Sequence, residues 1–271
     1  MPEGDTILMA ARALHRALAG HLVTRFESAL VQITRVAEDQ RVIGRTIESV
    51  TARGKHLFIQ LSGGLVLHTH MRMNGSWHIY PVGARWRRPH RDMRVIIGTA
   101  RAVAVGFNIP VAELLTAREL DRHDSLRALG PDLLADDVDV AEVMRRMREH
   151  NRDPIAEVLL NQRVAAGIGN VFKSEILFLG GIYPFSRTAD VADEQLDALI
   201  AIARKVMAVS VKLGQRTTRS SLNPAERLWV YGRGGKPCFK CGTPIHAKKT
   251  GLDARLTYWC PRCQAAVESS R

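Results

Sequence analysis

The sequence predicts an α+β protein built from an N-terminal helix with an antiparallel β-sandwich, a helical region, and a small metal-binding module at the C-terminal end. Three observations carry that prediction. Short apolar runs broken by glycine and asparagine turns fill residues 22 to 113, helical periodicity takes over from about 140, and all four cysteines fall between 238 and 263.

In chain order, the first element is a helix over residues 6 to 19. It places Ile7, Ala10, Ala11, Leu14 and Leu18 on one face and Arg12 and Arg16 on the other. The residues in front of it, Met1-Pro2-Glu3-Gly4-Asp5, admit a chemical reading. Proline is small enough for the initiator methionine to be trimmed, which leaves Pro2 as a secondary amine with the Glu3 carboxylate one residue away. An α-amino group has a reference pKa of about 8 against about 10.4 for lysine, so more of it is unprotonated and nucleophilic at neutral pH, and such an amine attacks an aldehyde carbon to give an iminium. Proline nitrogen is more basic than a primary amine, so a working site also needs nearby positive charge or desolvation. The alternative is that these residues only start a helix, with Asp5 capping it and Glu3 placed near the positive dipole end.

Strand-like runs follow at Ile47 to Ala52, Leu57 to Leu61, Leu65 to Met71, Ser76 to Tyr80 and Met93 to Thr99, with turns at Ser62-Gly63-Gly64 and Asn74-Gly75. Lys55, in Arg53-Gly54-Lys55-His56, sits at the entry to one strand and reads equally as a surface charge. His68 and His70 share a strand face, but no acidic or cysteine partner follows at ligand spacing, so paired polar residues on a sheet are expected rather than a metal site. Arg85, Arg87, Arg88 and Arg91 around Trp86 read either as a nucleic-acid-binding loop or as a mobile surface loop.

The acidic, turn-prone segment 129–139 marks a hinge, and helices are expected at about 140 to 150, 154 to 161, 170 to 179 and 194 to 213. Between two of them, Asn161 to Asn170 passes through Gly167 and Gly169 into a new helix, a loop whose glycines and exposed amides suit a phosphate. Many loops join two helices in this way. The spacing Cys238-Phe-Lys-Cys241, eighteen residues, Cys260-Pro-Arg-Cys263 is that of a tetrathiolate zinc site. Four thiolates leave no open position for water, so the metal is structural; disulfides or a redox pair are the alternative. His246 is a surface residue in this reading. Between the knuckles, Lys248, Lys249 and Arg255 with Thr257 and Tyr258 form a basic, hairpin-like stretch suited to a phosphate backbone, or a solvated charged loop.

Composition narrows the function. Thirty-nine Lys plus Arg against 27 Asp plus Glu give +12, an excess that favours a polyanion, with nucleic acid ahead of anionic lipid because no apolar run approaches the roughly 18 residues of a membrane span. The acidic start does not read as a signal peptide, and no cysteine outside the metal module is left for disulfides, so a reducing, intracellular setting fits.

Taken in order, Pro2-Glu3, Lys55, the Gln162 to Asn170 loop continuing as Val171-Phe172-Lys173-Ser174-Glu175, Tyr231-Gly232-Arg233, and Arg255 to Gln264 resemble one family across nearly the whole chain. It is the formamidopyrimidine-DNA glycosylase and endonuclease VIII family. The resemblance implies a β-sandwich catalytic domain over 1–128, a hinge at 129–139, a helix-two-turn-helix DNA-binding domain over 140–230 and a zinc finger over 231–271, with DNA held between the domains. It implies a bifunctional base-excision-repair enzyme acting on double-stranded DNA with damaged bases or abasic sites, as a cytoplasmic, nucleoid-associated monomer with one structural Zn2+ and no membrane partner. By position, Pro2 is the nucleophile on sugar C1′ and Glu3 the acid/base group near the ring oxygen. Lys55, Asn170 and Arg255 grip phosphates around the lesion, Lys55 and Arg255 as part of the catalytic set. Cys238, Cys241, Cys260 and Cys263 hold the metal, and the strand is cut by β,δ-elimination through a Pro2 Schiff base.

Gly4-Asp5 stands where the formamidopyrimidine branch usually has Leu-Pro, and no Arg-Arg-Phe-like loop occurs around Val105 to Pro110, which favours the endonuclease VIII branch and oxidised pyrimidines. Met73 nevertheless aligns with the purine branch's wedge methionine, and the Gln-Leu-Tyr wedge is absent, so Arg72, Met73 and Asn74 are expected to fill the void left by the flipped base. The alternatives are the same chemistry on 8-oxoguanine and formamidopyrimidines, or a catalytically silent zinc-finger DNA-binding protein.

Overall fold

The computed structural model describes residues 2–251 and 254–266. The chain forms two compact units, Met1–Ala128 and Leu129–Arg271.

The first unit opens with α1, Gly4–Leu18, which buries Ile7, Ala11, Leu14 and Leu18 along one stripe. The helix starts two residues earlier than its apolar period suggests. Its N-cap is Glu3, in extended conformation, and Asp5 lies inside the first turn, where its Oδ1 accepts the Thr6 amide at 2.6 Å rather than capping the helix. Then follow β1 (Arg25–Ser28), α2 (Val31–Asp39), β2 (Ile47–Arg53), β3 (His56–Leu61), β4 (Leu65–His70), β5 (Ser76–Pro81), β6 (Met93–Gly98), β7 (Ala102–Phe107), β8 (Val111–Thr116), α3 (Ala117–Asp121) and α4 (Asp124–Arg127). The strands make two antiparallel four-stranded sheets, in the orders β1-β6-β7-β5 and β2-β3-β4-β8.

One core joins α1 to both sheets. Leu57, Ile59 and Leu61 of β3 and Leu67 of β4 pack with Val95 and Ile97 of β6 and with Ile7 and Leu14 of α1. Each such aliphatic chain stabilises the fold by about 1.5–3 kcal/mol when fully removed from water. The other face of the first sheet is also apolar, with Tyr80, Ile96, Val103, Val105 and Phe107 packed against Trp86. Every residue of β7 is therefore buried, and its sequence shows no alternation.

The second unit contains α5 (Val140–Glu149), α6 (Ile155–Leu160), α7 (Asn170–Leu179), α8 (Asp193–Lys212) and the antiparallel hairpin of β9 (His246–Thr250) and β10 (Arg255–Trp259). Asp139 caps α5 by accepting the Glu142 amide at 2.9 Å. Helix α7 is buried along almost its whole length because it has two apolar neighbours. Phe172, Ile176 and Leu177 pack with Leu196, Leu199 and Ala203 of α8, while Phe178 packs with Val230, Cys238 and Cys260 of the metal module.

A buried carboxylate ties that module to α7. Glu175 accepts the backbone amides of Trp229, Val230 and Tyr231 at 2.7, 2.8 and 2.8 Å, together with the Thr218 hydroxyl. Burial raises its pKa, and the four donors work against that rise by favouring the ionised form. Replacing Glu175 with Ala leaves the buried Val230 amide and the part-buried Trp229 and Tyr231 amides without this acceptor, at about 1–3 kcal/mol for a buried donor, so urea unfolding of Glu175→Ala is expected to show a loss of about 2 kcal/mol or more. A loss below about 1 kcal/mol would show that water or another group replaces the carboxylate.

Candidate active site

The sequence-predicted residues fall into groups that the two units present separately. In the first unit, Pro2 is half-buried and immediately precedes the buried N-cap residue Glu3, at the positive end of a fifteen-residue helix. The Glu3 side chain makes no capping hydrogen bond to the first turn of α1, so it does not serve the helix as a cap. Met1 lies outside the described residues.

Lys55 is the second residue of the tight turn between β2 and β3, where Arg53 pairs with His56 and Gly54 takes the left-handed conformation with φ of 59°. The turn sets Lys55, partly buried, beside a histidine cluster carried by the two central strands of the second sheet, β3 and β4. His56 stacks on His68 with centroids 5.1 Å apart and meets His70 edge-on at 4.7 Å. Burial, followed by the charge of His70, pushes His56 down to about 3, and burial, followed by Arg72 and Lys55, pushes His70 down to about 4. These rings are neutral at physiological pH.

The turn after β4 carries Arg72, Met73 and Asn74, all exposed, with Arg72 at φ of 49°. Its shape is fixed from below. The Gly75 amide donates to the Met71 carbonyl at 2.9 Å, and a Cβ on Gly75 would sit 2.5 Å from that same oxygen, so no other residue fits without moving the turn. Met73 is thus an apolar side chain, 58% exposed, on a rigid tip. Beside it Arg94, Asn108 and Pro110 line a cleft of about 400 Å³ with the three tip residues.

The arginine-rich loop at Arg85 to Arg91 exposes its arginines and anchors itself through its aromatic ring. Trp86 stacks on His90 at 4.0 Å and meets Phe107 edge-on at 5.8 Å, so its ring closes the outer face of the sheet and is not presented as a platform for a base.

In the second unit the loop before α7 is pinned by one side chain. Gln162 Nε2 donates to the carbonyls of Leu160 and Ile168 at 2.8 and 2.9 Å, and its Oε1 accepts the Gly167 amide at 3.1 Å. Gly167 takes φ of 111°, and Gly169 is the N-cap of α7. Asn170, the first helical residue, donates from Nδ2 to the Leu256 carbonyl of β10 at 2.8 Å. Its Oδ1 accepts from the fully buried Lys173 Nζ at 2.7 Å, and the same ammonium donates to Thr257 Oγ1 at 2.7 Å. Helix start and metal hairpin are thereby one polar assembly. Arg255, at the start of β10, lines a cleft of about 470 Å³ with Asn161, Lys173, Thr250 and residues of α6.

Sequence reasoning did not assign the tie from Lys173 to Thr257, because the two residues are far apart in the chain and the pairing needs the hairpin docked on α7. Arg233 is likewise structural. It donates to the carbonyls of Trp229 and Pro237 and lies over the Phe239 ring at 3.5 Å, bracing the first cysteine knuckle.

The cysteines fit a zinc ion. Cys238, Cys241, Cys260 and Cys263 bring their Sγ atoms within 4.8 Å of one another and form no disulfide, with separations of 3.9 Å for Cys238 and Cys263 and 3.4 Å for Cys241 and Cys260. A tetrahedron of about 2.3 Å Zn–S bonds has edges of about 3.8 Å, whereas a disulfide needs about 2.05 Å. The Lys240 amide donates to Cys238 Sγ and the Cys263 amide to Cys260 Sγ, both at 3.4 Å, which orients one thiolate in each knuckle. His246 is exposed, rests edge-on against Trp259 and stands apart from the four sulfurs.

Comparisons with known proteins match three stretches of the chain and most of its length. Family models match at residues 1–108 (formamidopyrimidine-DNA glycosylase N-terminal domain), 129–221 (formamidopyrimidine-DNA glycosylase H2TH domain) and 235–266 (zinc finger found in FPG and IleRS). A probable endonuclease 8 2 of Streptomyces coelicolor is 40% identical over 98% of this chain and 94% of its own length. The DNA-(apurinic or apyrimidinic site) lyase Nei2 of Mycolicibacterium smegmatis is 37% identical over 98% of this chain and all of its own, and a formamidopyrimidine-DNA glycosylase of Rhizorhabdus wittichii is 32% identical over 97% and 100%. Among solved structures, Lactococcus lactis Fpg in complex with abasic-site DNA shares the fold, with a TM-score of 0.84 at 22% identity over 98% of this chain and 100% of that one.

Replacing Cys260 with Ser is expected to release the thiolate-held zinc and unfold the β9–β10 hairpin. Limited trypsin digestion under native conditions reads this as new cleavage after Lys248 and Lys249; a variant that kept its zinc and resisted cleavage would refute the assignment of Cys260 as a ligand.

Proposed function

The chain belongs to the formamidopyrimidine-DNA glycosylase and endonuclease 8 family, and from that membership we propose that it is a bifunctional DNA glycosylase and AP lyase of base excision repair that excises oxidised bases, pyrimidines foremost, and cuts the strand by β,δ-elimination. The observation that carries the reading is Pro2-Glu3 at the N-terminus of α1, in a chain alignable over nearly its full length with proteins named for this activity. Once Met1 is removed, the Pro2 nitrogen is a secondary amine at the positive end of α1, a position that favours its uncharged, nucleophilic form.

The chemistry follows from that nitrogen. Its lone pair attacks C1′ of the damaged nucleotide, the bond to the base breaks, and the base leaves with a proton. Glu3 delivers a proton to the ring oxygen as the sugar opens to the iminium. That iminium acidifies the hydrogen on C2′, whose loss expels the 3′ phosphate, and a second elimination expels the 5′ phosphate. Water then releases Pro2. The covalent intermediate divides one difficult cleavage into easier steps.

A damaged base must leave the stack to be reached, so the surrounding backbone has to be held. Lys55, Asn170 and Arg255 take the flanking phosphates, each on a part of the fold fixed by tight turns or buried hydrogen bonds. Arg72, Met73 and Asn74 fill the space left by the flipped base, a role supported by the exposed methionine on a rigid tip. The enzyme works as a monomer on double-stranded DNA in the cytoplasm.

Preference for oxidised pyrimidines is supported by Gly4-Asp5 and by the identity of 40% and 37% to the proteins named endonuclease 8 2 and Nei2, against 32% to the formamidopyrimidine-DNA glycosylase. Met73 supports the second reading, the same chemistry on 8-oxoguanine and formamidopyrimidines.

Borohydride is expected to trap the wild-type chain on abasic-site DNA through Pro2, and peptide mass spectrometry of the adduct reads the crosslinked residue. Trapping is expected to vanish in Pro2→Ala and in protein that retains Met1; an adduct on any other side chain would refute the mechanism. Arg255→Ala is expected to weaken DNA binding and flatten the salt dependence by about one phosphate contact, with zinc content unchanged. In single-turnover excision from duplexes carrying one lesion each, oxidised pyrimidines are expected to react faster than 8-oxoguanine, and the reverse order would select the second reading.

A further inference from the structure

The second sheet assembles a group of side chains that the glycosylase chemistry does not use. His68 on β4 and Glu113 on β8 face each other directly in the antiparallel register. Helix α3 then turns the chain back, started by a capping box between Thr116 and Glu119, and delivers His123 to the same place at the N-cap of α4. The result is convergent: His68 Nδ1 lies 2.9 Å and His123 Nε2 3.2 Å from one and the same oxygen, Glu113 Oε2.

We propose that His68 Nδ1, a Glu113 carboxylate oxygen and His123 Nε2 form a second metal site, for a divalent transition ion of the Zn2+ class. The three ligand atoms lie within 4.8 Å of one another. A tetrahedral ion with bonds of about 2.0–2.2 Å to nitrogen and oxygen needs ligand separations of about 3.3–3.5 Å, so on binding the Glu113 oxygen draws back slightly from the two nitrogens, now at 2.9 and 3.2 Å, and the nitrogens settle at that same separation from each other. Two imidazoles and a carboxylate, without sulfur, suit Zn2+, Co2+ or Ni2+ better than Mg2+ or Ca2+, which take oxygen donors alone.

The surroundings match what holds a metal-bound histidine. A ligating imidazole uses its other nitrogen to fix its tautomer and orientation. Here the other nitrogen of His68, Nε2, is 2.8 Å from His56 Nδ1, and the other nitrogen of His123, Nδ1, is 3.1 Å from Ser125 Oγ. With the ion bound, His68 Nε2–H donates to His56. The side chain of His68 is 2% exposed, those of His123 and Glu113 24% and 38%. One ligand is thus anchored in the sheet while two face solvent, which gives the ion a route in and leaves its fourth position for water. The ion would clamp β4, β8 and the turn between α3 and α4 together.

The competing arrangement is a plain hydrogen-bonded triad in which both imidazoles donate to Glu113. Metal uptake separates the two. Tag-free, full-length protein, treated with a mild chelator that leaves the thiolate zinc in place, is titrated with Zn2+ or Co2+ and its bound metal measured after gel filtration. The wild type is expected to take up one ion beyond the thiolate-held one, with Co2+ giving visible ligand-field bands without added thiolate charge-transfer absorption, and to melt at a temperature that rises with added Zn2+. His123→Ala and Glu113→Gln, both at partly exposed positions, are expected to lose at least tenfold in affinity for that ion and to lose the Zn2+-dependent rise in melting temperature. Ser125→Ala is expected to weaken binding less than either, up to about tenfold. No second ion in the wild type, or equal uptake by wild type, His123→Ala and Glu113→Gln, overturns the proposal. None of these readouts depends on DNA cleavage, so the outcome stands apart from the proposed activity.

Discussion

The buried ammonium of Lys173 is the interaction on which the second unit turns. A charge taken fully out of water is tolerated only where hydrogen bonds replace its hydration, and here Asn170 Oδ1 and Thr257 Oγ1 do so. Satisfying Lys173 therefore requires the start of α7 and strand β10 to be in place together. The same helix face continues the pattern. Asn170 donates to the carbonyl of residue 256, Lys173 to the side chain of 257, and Ser174 Oγ accepts the amide of 258, so successive positions of α7 read successive positions of the hairpin. One turn deeper, Glu175 gathers the chain that leads into the zinc knuckles. Zinc closes the far end of the module, and this polar seam closes the near end. Asn170 and Arg255 thereby occupy fixed positions although one begins a helix and the other a strand on the rim of a small metal domain.

The first unit reaches rigidity by other means. The positions proposed to act on DNA lie at its element ends: Pro2 before α1, Lys55 in the β2–β3 turn, and Arg72 to Asn74 after β4. Each end inherits its placement from a strand or helix whose apolar face is locked in the common core. The tip at Met73 needs more, because an exposed apolar side chain on a mobile loop would fold back onto the surface. The close approach of Gly75 to the Met71 carbonyl supplies it.

Much of this was legible in the sequence, for identifiable reasons. Helices α1, α5, α7 and α8 carry a helical stripe or a capping signal, the turn at Gly63-Gly64 sets the β3–β4 hairpin, and Asn74-Gly75 marks where the chain leaves β4 for β5 of the other sheet. The Cys-x-x-Cys pairs announce a metal through local spacing alone. Strands β1, β7 and β8 and helix α2 escaped notice because their signals are weak or tertiary. β7 is buried on both faces and so shows no alternation, β1 has only four residues, and α2 has no side-chain cap. The packing of Trp86 on the apolar outer face of the first sheet was not legible either, because it is tertiary: the ring meets Phe107 of β7 across the fold.

The two clusters of metal-ligand type among the described residues mark where such reading ends. In the thiolate cluster, two residues between paired cysteines hold both sulfurs on one tight turn, so the sequence states half the geometry outright. In the imidazole cluster, His68 and Glu113 are joined only by strand register, and His123 only by the path of α3. A shift of one residue between β4 and β8 would put Glu113 on the opposite face of the sheet and disperse the group. That register is set by the apolar partners around it, Leu67 against Leu114 and Val66 against Leu115, with no ligand involved. Packing that has nothing to do with metal binding therefore sets the distance between a buried imidazole and a carboxylate, and spacing along the chain carries no trace of it.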